Sequence, residues 1–159
     1  MACWLTVYCK RPCVLSTRDV QRELDRADLL TLAEVHDIDE ALAENAAPRF
    51  EPVDGPLGGA DLLWRDVPQR PIQIHHWTEP ARVAEELDEA REREVPEHVD
   101  LEGTVEIVAL EMGISAYEDL GIVLAWEVAR VIAHACGGFT RDDDDRWSYV
   151  DADGGWVHP

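Results

Sequence analysis

Lysine is almost missing from this chain: there is one, Lys10, and the remaining bases are arginines. Together the 14 bases face 34 acids, a formal net charge of −20. Neutralising nucleic-acid phosphates needs a basic footprint, so direct nucleic-acid binding is excluded. The acidity leaves two readings open. It can steer the protein onto a basic protein partner, or it can serve solubility alone. Arginine in place of lysine fits a bacterial-type protein from a GC-rich genome or a high-salt cytoplasm.

No basic N-terminal segment leads into a long apolar run, so no secretion signal is expected and a reduced, cytoplasmic setting is. The most apolar stretch, Leu120–Cys136, carries Glu127, Arg130 and His134, which argues against a membrane span. Signatures for a P-loop, a dinucleotide fold, a nucleophile elbow, a zinc protease or a kinase are all missing, so no catalytic residue is assigned and no cofactor is expected.

The cysteines number four: Cys3, Cys9, Cys13 and Cys136. Cys9-x3-Cys13 lacks the second pair of a structural zinc site, which only His75, His76 or Cys136 would supply, so no metal is assigned. Cys3 and Cys9 share a strand face and read as small core hydrophobes. Asp151-Ala152-Asp153-Gly154 resembles the start of a calcium loop without its further ligands. This stretch and Asp142–Asp145 read as tight hairpin turns.

What is present centres on Thr104–Gly138. The β-branched run Val105–Leu110 predicts a mostly buried strand. Ser115 and Glu118 have the spacing of a capping box, and the helix they open runs to about Cys136, where Gly137–Gly138 stops it. Glu127, Arg130 and His134 form one narrow polar stripe on an otherwise apolar helix. It is either a solvent-facing edge with an i,i+3 ion pair or the floor of a partly buried cleft.

In order, Cys3–Cys9 alternates as a first strand, and Ser16 or Thr17 caps a helix lined by Val20, Leu24 and Ala27. Leu29–Val35 extends that helix or bridges to a short helix before Asn45, for which Asp37 and Glu40 make a cap-like pair. Residues 46–60, rich in proline and glycine, read as an irregular loop. The runs LLWRDV and PIQIHHW read as a hairpin, and Thr78 caps a charged helix with Val83, Leu87 and Ala90 on its core side. A hairpin around Asp142–Asp145 follows, with a last short strand through Trp156 and Val157.

The expected fold is one α+β domain over residues 1–159, an antiparallel sheet with helices packed on one face. By element order its first two thirds resemble a ferredoxin-like split βαβ, followed by a helix–hairpin extension from about residue 115. That likeness licenses no activity. The expected function is a non-enzymatic interaction module for a basic protein, for example an immunity-type inhibitor. Asp142, Asp143, Asp144 and Asp145 with Trp147 and Trp156 are the candidate contact residues, since exposed tryptophan is enriched at hot spots. The alternative is a small enzyme or ligand-binding domain with a cleft of Glu127, Arg130 and His134 with His75 or His76. As strand neighbours, His75 and His76 point to opposite faces.

Overall fold

The computed structural model describes residues 1–159 and arranges them around a single antiparallel sheet of eight strands. The strands are β1 (Ala2–Cys9), β2 (Arg49–Glu51), β3 (Asp61–Leu63), β4 (Ile72–Trp77), β5 (Glu106–Gly113), β6 (Phe139–Arg141), β7 (Trp147–Val150) and β8 (Trp156–Val157). They lie in the order β2-β3-β4-β5-β1-β6-β7-β8, so the first strand sits inside the sheet between two later meanders. Register along its full length ties β1 to β5, with Val7 opposite Val108.

The helices are α1 (Thr17–Arg26), α2 (Leu29–Val35), α3 (Glu40–Glu44), α4 (Pro80–Arg91) and α5 (Leu120–Cys136). Alternation along β1 sends Cys3, Leu5, Val7 and Cys9 into the main core with Val108, Leu110, α5, α1, α2 and α3. Tyr8 and Ile107 point the other way and pack with Val83, Leu87 and Ala90 of α4. The expectation of helices on one face is therefore corrected: both faces of the central strands are apolar, and each is covered. The split βαβ arrangement is not found either. It needs another strand between the two that a helix connects, whereas β4 and β5, joined by α4, pair directly.

Ser115 and Glu118 do not cap α5. They lie in a 3₁₀ turn, Ile114–Glu118, and the N-cap is Asp119, whose carboxylate accepts from Leu120 N at 2.6 Å and pairs with Arg65. Gly121 lets this turn and Trp64 approach, since a Cβ there would lie 2.7 Å from the Ala116 Cβ. At the other end Gly137 adopts φ 65° and closes the helix as expected. Gly138 then passes directly over the Tyr8 carbonyl.

Four smaller departures have local causes. Asp28 caps α2 as a helix in its own right. Asp39 caps α3, while Asp37 takes a left-handed φ of 58° in the preceding turn. Residues 49–51 leave the irregular loop to pair with β3 as β2. The N-cap of α4 is Glu79, not Thr78, and makes no side-chain cap bond. In α1 the capping box is complete: Ser16 Oγ accepts from Asp19 N, and Asp19 Oδ2 accepts from Ser16 N at 2.8 Å. Ser16→Ala should lower stability by about 1 kcal/mol, read as a shifted urea midpoint at unchanged m-value.

No helix is long and apolar enough to cross a membrane.

Candidate functional site

The polar stripe of α5 divides. Glu127 is buried at 6% exposure, Arg130 is partly covered and His134 is exposed. One helical turn separates Arg130 from Glu127, so its guanidinium folds back onto the carboxylate. Arg130 Nε donates to both carboxylate oxygens at 3.1 Å, and Nη2 donates to Oε1 at 2.6 Å. Arg130 Nη1 reaches across to the Gly154 carbonyl at 2.9 Å and so ties α5 to the β7–β8 turn. The Glu127 contact holds the guanidinium pKa above its ordinary value.

Glu127 and Arg130 border a cavity of 870 Å³ between α5 and the C-terminal strands. Four rings gather there. Trp126 meets Trp156 edge-on with centroids 5.1 Å apart, and Trp156 stacks on His158 at 5.8 Å. His36, at the end of α2, stacks on Trp126 at 6.4 Å. Burial, with His158 adding to it, holds the His36 imidazole below its usual pKa. Ser148, buried on β7, shares a 2.6 Å hydrogen bond with His158 Nδ1.

His75, His76 and His134 do not join this cavity. Three strands, β5, β1 and β6, separate β4 from β7, so β4 side chains cannot reach the α5–β7 space. On opposite faces as expected, each β4 histidine has its own carboxylate. His75 Nε2 lies 3.0 Å from Glu111 and its ring 5.3 Å from Trp4. His76 Nε2 lies 2.7 Å from Glu106, whose Oε2 also accepts from Cys13 N at 2.8 Å. All four cysteines are free and buried, and burial pushes the Cys13 thiol up to about 11, which keeps it protonated at neutral pH. No cluster of His, Cys, Asp and Glu has the geometry to hold a metal ion.

The two acidic turns repeat one device. Asp142 Oδ1 accepts from the amides of Asp144 and Arg146, and Asp151 Oδ1 from those of Asp153 and Gly155. The other hairpin carboxylates are also engaged. Asp143 accepts from Trp4 N, Asp144 pairs with Arg146, and Asp145 pairs with Arg93 and Arg141. Trp147, expected to be exposed, is 5% exposed and packs on Tyr8, because β7 turns it toward α4. Trp156 is half-buried in the ring cluster.

The hairpin, then, spends its charge internally. Elsewhere every lysine and arginine except Arg11 forms an ion pair within 4.0 Å, and Arg11 donates to the Ala135 carbonyl. Glu79, Glu89, Glu92, Glu94, Glu97 and Glu102 are exposed and pair with none of them. They run along α4 and the segment that follows. Glu89 borders a groove of 300 Å³ between α4 and the hairpin, with Trp4 and Trp77 in its lining.

His36, Trp126, Ser148 and His158 were not singled out in the sequence. One signal was available: Trp156 and His158 are two apart on a strand, so they share a face.

Comparison with family models, with characterised proteins and with solved structures finds no match to this chain.

Proposed function

We propose that this protein is a non-enzymatic binding module that docks a basic protein through the α4 face. An inhibitor of a basic toxin, as in immunity systems, is one concrete form. The observation that carries the reading is the row of unpaired exposed carboxylates from Glu79 to Glu102, in a chain whose cations are almost all held by internal ion pairs. Such a surface raises the encounter rate with a positive partner and repels phosphate backbones. Trp4 and Trp77, in the groove beside Glu89, supply amphipathic contact area of the kind that anchors interfaces. The hairpin acids Asp142–Asp145 enter this reading as supports of the groove, since their charges are already matched.

Association with a basic protein encoded beside its gene, followed by stopped flow, should slow at least about tenfold between 50 and 500 mM salt, as screening shortens the Debye length. Reversing Glu89, Glu92 and Glu94 to arginine should slow the low-salt rate by a similar factor and leave the high-salt rate nearly unchanged. A rate indifferent to both salt and charge reversal would remove the proposal.

A further inference from the structure

On the opposite side of the sheet from α4, we propose that the cavity between α5 and the C-terminal strands binds a flat, uncharged heteroaromatic molecule that accepts hydrogen bonds through carbonyl oxygens or ring nitrogens. This does not depend on docking at the α4 face.

Shape is the first argument. At 870 Å³ the cavity is within the range of small-molecule sites. One end is walled by Trp126, Trp156, His36 and His158, with ring centroids 5.1–6.4 Å apart. Indole and imidazole faces bind flat rings by stacking, with little demand on the ring's identity.

Charge is the second. The charges of Glu127 and Arg130, beside these rings, cancel in a bidentate pair. Burial holds the His36 imidazole below its usual pKa and so disfavours its cation. At the far end Asp142 and Asp144 are held by Arg146. A charged ligand would lose its hydration and find no free counter-charge.

Hydrogen-bonding capacity is the third. A guanidinium carries five N–H donors. Arg130 directs Nε–H to Glu127 and single bonds from Nη1 and Nη2 to Gly154 O and Glu127, which leaves donors unused. Both Glu127 oxygens, by contrast, already take Arg130, and Ser148 bonds His158. Spare donors beside flat rings fit a ligand that is flat and rich in acceptors.

Caffeine is a suitable probe, being flat, neutral and without N–H donors. Titrated into the full chain, it should shift the indole N–H resonances of Trp126 and Trp156 saturably and leave those of Trp64 and Trp147 in place. Trp156→Ala should weaken binding by roughly tenfold or more. His36→Leu, which removes a ring without touching the C-terminal strands, should weaken it in the same direction while amide dispersion stays native. The anion 2-naphthoate and the cation N-methylquinolinium should bind at least about tenfold more weakly than caffeine. Absence of a saturable shift would overturn the proposal. So would equal binding of the charged rings, or full affinity in both variants.

Discussion

Gly138→Ala is expected to abolish the native fold, or to lower its stability by at least about 4 kcal/mol. The backbone at Gly138 is unremarkable in φ, so the effect is purely one of space. A Cβ placed there would lie 2.0 Å from the Tyr8 carbonyl oxygen and 2.7 Å from its carbon. Both are backbone atoms of a central strand and have no rotamer to yield. To make room, β6 would have to leave β1 and break the pairing of Tyr8 with Phe139. The neighbouring Gly137→Ala is the control. Its left-handed φ of 65° costs a non-glycine residue about 1–2 kcal/mol, and the nearest atoms are the mobile end of the Arg11 side chain. Circular dichroism with urea unfolding of the two variants should therefore separate a lost fold from a modest shift. Equal, small losses would show that β1 and β6 can part without cost.

Arg130→Met is expected to be the next most severe, at about 3–5 kcal/mol, toward the lower figure because Arg130 is itself partly exposed. It leaves the Glu127 carboxylate buried with no cation, and it also cuts the bond to Gly154 that anchors the last turn. The Glu127→Leu/Arg130→Met double variant removes the orphaned charge and should recover most of the loss in thermal unfolding. Whatever fails to return measures the Gly154 tether. A double variant no better than the single one would mean that the tether, not the charge, carries the effect.

The sequence made the interior strands readable because their residues are short, branched runs. Val7 and Val108, on two such runs, pair across the core. The two Asp turns were readable for a local reason too, since each aspartate bonds amides two and four residues ahead. What misled was the question of faces. A strand buried on one side alternates, but β1 is apolar at Val7 and at Tyr8, and an unbroken apolar run means cover on both sides. The start of α5 was decided by tertiary contacts. Ser115 and Asp119 are both good caps locally, and Arg65 on Asp119 with Trp64 against Gly121 favours the second. At the candidate site, the Glu127–Arg130 pair follows from helical spacing alone. Its ring neighbours do not, because His36, Ser148 and His158 meet only once β7 and β8 have been placed beside α5.

The place of β1 inside the sheet sets an order of events during synthesis. Residues 2–9 leave the ribosome long before their partners, which are residues 106–113 on one side and 139–141 on the other. At about 5–20 residues per second, this apolar strand waits roughly 5–20 s with both hydrogen-bonding edges open. Pairing across so much intervening chain also slows the search for the native state. The nascent protein is consequently most exposed to aggregation before β5 emerges, and an early chaperone contact at Cys3–Cys9 would protect it more than one made later.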